Sequence, residues 1–196
     1  MQIPILMKNK QQPSYDAATV QPMREELTSV GCKELLTPED VDKALARNDD
    51  KTILVVINSV CGCSAGSGRP GVMIAMQNSI IPDELYTLFG GMEKDAIDSY
   101  RNKYLPNHPT SSPHIALFKN GEPLSIFKRS DIDEHSAENI AGELVTIFNE
   151  VCKNTGPSIS NKDFENITQG KFGCYTDVSK DEALIVFVCF VCIDGL

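Results

Sequence analysis

Cys61 and Cys63 stand one residue apart in Asn58-Ser59-Val60-Cys61-Gly62-Cys63-Ser64-Ala65-Gly66, directly after the apolar run Thr52-Ile53-Leu54-Val55-Val56-Ile57. A buried strand that runs out into two thiols at the start of a helix has a defined electrostatics. The first backbone N–H groups of a helix lack partners, and the helix dipole adds positive potential there. A thiolate is an anion, so the pKa of a cysteine at this point is expected to fall. The lowered pKa gives a nucleophile at neutral pH that is also a good leaving group. On a helix, residues i and i+2 point about 200° apart. A bridge between Cys61 and Cys63 is therefore expected to be strained and easily reduced. That favours passing disulfides on, or working through a mixed disulfide, over resting as a stable bridge. Two other uses stay open at this point: half of a metal site, or a pair of incidental buried thiols. No second cysteine pair lies at zinc-site spacing from it, and there are only 3 histidines.

The elements that position this pair can be read from periodicity and punctuation. Residues 17–30 have the composition of a short helix, with Pro22 forcing a start or kink and Gly31 suited to its C-terminal side. Thr37 is a good N-cap, followed by Pro38 at the first helical position, Glu39 and Asp40 in the first turn, and an apolar stripe at Val41, Ala44 and Leu45. Residues 52–58 are apolar on both faces and read as a central strand of a sheet covered on both sides. A helix over 72–80, ended by Pro82, a strand at 85–89 and a helix over 92–105 follow. Residues 114–118 and 123–127 flank Asn120-Gly121, a strong hairpin signal. The last clear helix is 137–152, with Ile140, Leu144, Ile147, Phe148 and Val151 on one stripe. A βαβ half followed by a ββα half predicts an α/β fold, with a mixed sheet of about four strands flanked by helices. Residues 1–15 read as a flexible leader, 16–153 as one domain, and 154–196 as a C-terminal extension of unassigned role. Within that extension Ala183–Ile193 is an apolar run too short to span a bilayer and suited to a buried strand.

Composition removes whole classes of partner. The 196 residues carry 18 Lys+Arg against 27 Asp+Glu, a net charge of −9. Non-specific nucleic-acid binding needs a basic face, and a polybasic membrane patch needs the same. No nucleic acid and no membrane are therefore expected as partners. The hydrophobic fraction of 41% supplies a core that does not need disulfide staples. Seven cysteines is an odd count, and the N-terminal residues lack the basic, apolar and small-residue segments of a secretory signal. Both point to reduced thiols in the cytoplasm.

The stretch NSVCGCSAG followed by RPG, residues 58–71, resembles the active-site segment of the bacilliredoxins, CGC-type thioredoxin-like proteins. VQPMREELTSVGCKELLTPEDV, LFGGMEKDAIDSYRNKYL and PTSSPHIALFKNGEPL are similar to the same family, so the likeness covers roughly residues 15–153. It implies a thioredoxin-like fold, with the residues before the sheet as an N-terminal helical extension. It implies thiol–disulfide exchange: removal of bacillithiol, or another low-molecular-weight thiol, from protein mixed disulfides, with weak disulfide isomerase activity beside it. Carried over, Cys61 is the attacking thiolate and Cys63 the resolving or auxiliary thiol. Pro113 is the cis-proline facing the site, Gly62 lets the chain turn between the thiols, and Ser64 bonds a nearby thiolate. Pro70 kinks the active-site helix. No tightly bound cofactor and no metal are implied. The implied partners are S-thiolated client proteins and the low-molecular-weight thiol or its reductase, with the protein itself a monomer or weak dimer. The alternative reading is a non-catalytic thioredoxin-like module that binds a partner in its groove or holds a metal through the two thiols.

The remaining polar candidates read as structural. Arg69 is expected on the solvated surface. His108 and His114 flank the loop before Pro113 without an assigned role, and His135 caps or solvates a helix start. Cys32 and Cys152 lie at helix ends and read as inert buried thiols. Cys189 and Cys192 have CxxC spacing but no helix start to lower a pKa. Asp131, Asp133, Glu134 and Glu138 read as a solvated face.

Overall fold

The computed structural model describes residues 11–168. Its main sheet has five strands: β1 (Lys33–Glu34), β2 (Thr52–Asn58), β4 (Glu84–Phe89), β5 (His114–Lys119) and β6 (Glu122–Phe127), in the order β1-β4-β2-β5-β6. β2 runs parallel to β4 and antiparallel to β5, and all seven of its residues are buried. That is the mixed centre the apolar run predicts. The sheet exceeds the expected four strands by the two-residue β1, too short to leave a periodic signal.

Side chains alternate across β2, so one strand feeds two cores. Leu54 and Val56 join Leu27, Val72, Met76, Ile140, Leu144 and Phe148 beneath α1 (Ala17–Thr28), α3 (Arg69–Ala75) and α6 (Ala137–Val151). Ile53, Val55 and Ile57 join Val41, Leu45, Ile97 and Tyr100 beneath α2 (Pro38–Leu45) and α4 (Lys94–Tyr104). Parallel β2 and β4 bridged by a helix, then an antiparallel hairpin and a closing helix, make the fold thioredoxin-like. In the hairpin, Asn120 and Gly121 take φ of 54° and 77°. Those positive values are what a two-residue hairpin turn requires.

Thr37 builds the start of α2 as its type predicts. Its hydroxyl accepts the Asp40 N–H at 3.2 Å, while the Asp40 carboxylate accepts the Thr37 N–H at 3.0 Å. Thr37→Ala is expected to cost about 1 kcal/mol. A urea melt would show this as a lower midpoint at unchanged slope, and an unchanged midpoint would contradict the cap's contribution.

Three local assignments change. The helix expected over 72–80 ends at Ala75, because Ile80–Ile81 form β3 and pair antiparallel with β7 (Asn154–Thr155). The acidic stretch after β6 contains a short helix, α5 (Arg129–Asp133). The first part of the extension is docked: β7 leads into α7 (Asn161–Thr168), whose Phe164 is buried in the α1/α3/α6 core. Cys174, Cys189, Cys192 and the apolar run 183–193 lie outside the described residues.

Candidate functional site

The chain leaves the sheet at Asn58 and turns into a helix within three residues. Cys61 occupies the N-cap position: its carbonyl accepts the Ala65 N–H at 3.2 Å, and its Sγ receives the Ser64 N–H at 3.4 Å. A capping side chain ordinarily takes one of the unpaired amide hydrogens in this way. Here the capping atom is sulfur. Cys61 and Cys63 are both half-buried free thiols, and the preceding Val60 is 38% exposed.

The two sulfurs lie 2.7 Å apart. The expectation that they point about 200° apart is thereby corrected. It treats both residues as helical, whereas Cys61 precedes the first helical turn and its side chain leans back over that turn toward Cys63. Gly62 is not forced by the backbone. It has no positive φ, and a Cβ there would meet nothing within 4 Å.

Burial raises the pKa of Cys61, but donors outweigh it. The Cys63 thiol, the Ser64 amide and the Ser59 hydroxyl bond the sulfur, and the Arg129 charge adds to them, so Cys61 lies below its ordinary value. Cys63 moves the opposite way. Burial, its bond to Cys61, the Cys61 charge and Asp133 raise it against the pull of Arg129. The two thiols are thus shifted in opposite directions, Cys61 toward the thiolate and Cys63 toward the thiol.

The surrounding elements meet around this pair. The Ser112–Pro113 peptide is cis, and a Cβ on Gly68 would lie 4.0 Å from the Pro113 Cβ. The Arg129 amide donates to Ser111 Oγ at 2.6 Å, and Ser111 Oγ donates to the Pro113 carbonyl at 2.9 Å. These bonds fix α5 to the loop that carries the cis proline. Gly90 completes the seam where β4 meets it. Its N–H donates to Asn58 O at 2.8 Å, and a Cβ would come within 2.4 Å of Ser112 Oγ.

The Ser64 hydroxyl turns away from the sulfur and bonds Asn58 Oδ1 at 3.2 Å; the contact to Cys61 comes from its amide. Arg69 is not on the solvated surface. It is 4% exposed and hydrogen-bonded beneath the turn. Two contributors lie outside the expected set. Arg129 sits on a five-residue helix too short for a periodic pattern, and Asn58 shows only as a polar residue closing an apolar strand.

His114 is buried against Tyr100, and His135 Nδ1 bonds the Asp131 carbonyl at 2.6 Å. Cys32 and Cys152 are buried, and burial pushes the Cys32 thiol up to about 12. Among the described residues, no group of three or more His, Cys, Asp or Glu side chains is placed to hold a metal ion, and no helix is long and apolar enough to cross a membrane.

The profile of a family described as disulphide isomerase matches residues 15–152. A bacilliredoxin of Salinibacter ruber (strain DSM 13855 / M31) is 41% identical over 143 residues, 73% of this chain and 83% of that protein. A bacilliredoxin of Halalkalibacterium halodurans is 43% identical over 139 residues, 71% of this chain and 95% of that protein. Among solved structures, the thioredoxin of Fasciola hepatica overlaps 59% of this chain and 98% of its own, with a TM-score of 0.39 at 19% identity.

Proposed function

The chain belongs to the bacilliredoxin family and is a thiol–disulfide oxidoreductase, and from that premise we propose that it removes bacillithiol from S-thiolated client proteins in the cytoplasm. The observation that carries this reading is the divided pair: a Cys61 sulfur held by the Ser64 amide, with the Cys63 thiol 2.7 Å away. Cys61 is the nucleophile, Cys63 the resolving thiol, and Pro113 lines the approach.

The Cys61 thiolate attacks the bacillithiol sulfur of the mixed disulfide. A Cys61–bacillithiol bond forms, the client–bacillithiol bond breaks, and the client leaves as a thiolate that takes a proton from water. Cys63 then attacks the Cys61 sulfur, its proton passing to the departing bacillithiol sulfur, so that bacillithiol leaves as a thiol and a Cys61–Cys63 disulfide remains. A second low-molecular-weight thiol attacking the Cys61 adduct is the other exit, and a reductase restores the oxidised pair. Exchange with protein disulfides by the same attack accounts for a weak isomerase activity.

Arg129 supports an anionic small thiol as the co-substrate. Its charge acts on both sulfurs, and no carboxylate among the described residues pairs with its guanidinium. No metal and no tightly bound cofactor enter these steps.

Cys63→Ser removes the resolving thiol, so incubation with a bacillithiol-modified client is expected to leave one bacillithiol on Cys61 by intact mass and peptide mapping. Modification on another residue, or none on Cys61 while the client remains thiolated, would overturn the assignment. Faster transfer from a glutathione-modified client would keep the chemistry and change the co-substrate.

A further inference from the structure

Arg69 makes four polar bonds while almost wholly buried. Its Nη1 donates to Ser59 O at 2.9 Å and to Asn58 Oδ1 and Ser64 Oγ at 3.2 Å each. Its Nε donates to Glu26 Oε2 at 2.6 Å. A buried guanidinium is costly unless its donors are satisfied, and an apolar side chain is often the more stable choice at such a position. Retaining the cation here therefore calls for a reason beyond packing.

The backbone is built to bring it there. Ser64–Gly68 forms a π-helical turn, and the Arg69 N–H bonds the Ser64 carbonyl five residues back. In an α-helix, residues five apart point about 140° away from each other. The widened turn brings them nearer to one side, and the Arg69 guanidinium reaches the Ser64 hydroxyl at 3.2 Å. Such turns recur at functional sites.

Two of the four bonded groups belong to Ser59 and Ser64, the residues that hold Cys61 on either side: the Ser64 amide donates to the Cys61 sulfur at 3.4 Å and the Ser59 hydroxyl accepts the Cys61 N–H at 3.3 Å. We propose that Arg69 is a positioning residue for Cys61: through the π turn it fastens Ser59 and Ser64 in place, and Glu26 anchors it to α1. Helix α1 is thereby part of the active site. Asn58 provides a second tie to the same helix, since its Nδ2 donates to the Met23 carbonyl at 2.8 Å. This role rests on the reading of Cys61 as the nucleophile.

Arg69→Lys tests the fork separately from the charge, because a lysine ammonium is a point charge that cannot reproduce the planar donor set. Glu26→Gln keeps an acceptor and loses the anchoring charge at a half-exposed side chain. The readout is the rate of Cys61 alkylation against pH in the full chain, with Cys63 changed to Ser in every sample, beside a urea unfolding midpoint. Arg69→Lys is expected to move the titration midpoint of Cys61 upward and slow alkylation at neutral pH about tenfold, one pH unit of lost thiolate. Glu26→Gln is expected to move it the same way by less, with its unfolding midpoint close to the parent's.

Folded variants whose Cys61 titrates as in the parent would overturn the role of Arg69. If Arg69→Lys does not fold, an unmoved midpoint in Glu26→Gln would overturn it equally. A Cys61 midpoint at the ordinary cysteine value of about 8.5 in the protein with Cys63 intact would instead sink the assignment of Cys61, which keeps the two failures apart.

Discussion

Cys61→Ser is expected to lower the rate of thiol–disulfide exchange about 100-fold or more, because no other described thiol is both partly exposed and shifted below its ordinary value. Cys32 and Cys152 are buried, and burial raises both. Cys63 is raised partly by the charge on its neighbour, which gives the variant a second signature. With the Cys61 charge gone, Cys63 is expected to titrate lower than it does in the parent and to alkylate faster at neutral pH. The reciprocal change separates donor from anion. Cys63→Ala removes a thiol that bonds the Cys61 sulfur, so Cys61 is expected to titrate higher than in the parent. In the parent, exchange falls tenfold per pH unit below the Cys61 midpoint as the thiolate is protonated. Alkylation rates against pH for the parent and both variants, read by mass spectrometry on each cysteine, measure all of this. Cys61 and Cys63 moving in the same direction, or Cys61→Ser retaining exchange, would show that the two sulfurs do not share one proton as the geometry requires.

Local chemistry made much of the site legible. The apolar run 52–58 names its own place in the sheet, Asn120-Gly121 names its own turn, and Thr37 with Asp40 names its own cap. One of the donors that lower Cys61, the Ser64 amide, is also legible from its position at a helix start. What escaped the sequence depended on geometry one step finer or on distant partners. A helical angle applied to both cysteines turns the sulfurs apart, yet Cys61 sits ahead of the first turn and its sulfur lies 2.7 Å from that of Cys63. Arg69 reads as a surface residue because arginine is rarely buried unpaired, and its carboxylate partner Glu26 is 43 positions away. The register change that carries Arg69 under the turn is a single π turn in a stretch of glycine, serine and alanine, which has no apolar period to betray it.

The same difficulty applies to β3 and β7. Two-residue strands leave no alternation to read, and their pairing is decided by the docking of the extension. Gly156 shows how close that docking is, since a Cβ there would come within 2.1 Å of the Asn78 carbonyl. Arg129 illustrates the functional cost of such omissions. A five-residue helix without a periodic signal delivers the cation that acts on both sulfurs.

Acid is expected to destabilise the fold through His114, the residue that follows the cis proline. It is 2% exposed, and its Nε2 lies 3.2 Å from the Tyr100 hydroxyl. Burial, with the Arg101 and His108 charges adding, holds it down at about 4, against an ordinary value of 6.5. The folded protein keeps His114 neutral where the unfolded chain already binds a proton. Stability is therefore fully present above about pH 6.5 and is lost as pH falls toward 4, after which this residue contributes no further change. The loss is about 3 kcal/mol over the whole interval. Glu84 is lowered to about 2 by Tyr86, Arg47 and Lys51 against its burial, so its own loss runs from its ordinary value of 4.5 down to 2 and begins where that of His114 is ending. His114→Phe removes the titration and leaves Tyr100 without this partner, an offset that does not change with pH. Urea midpoints at pH 7.0, 6.0 and 5.0 are expected to fall steadily for the parent and to stay nearly level for His114→Phe. Parallel slopes for the two proteins would mean that the acid sensitivity lies elsewhere. A parent already level over this range would mean that His114 takes up its proton without leaving the core.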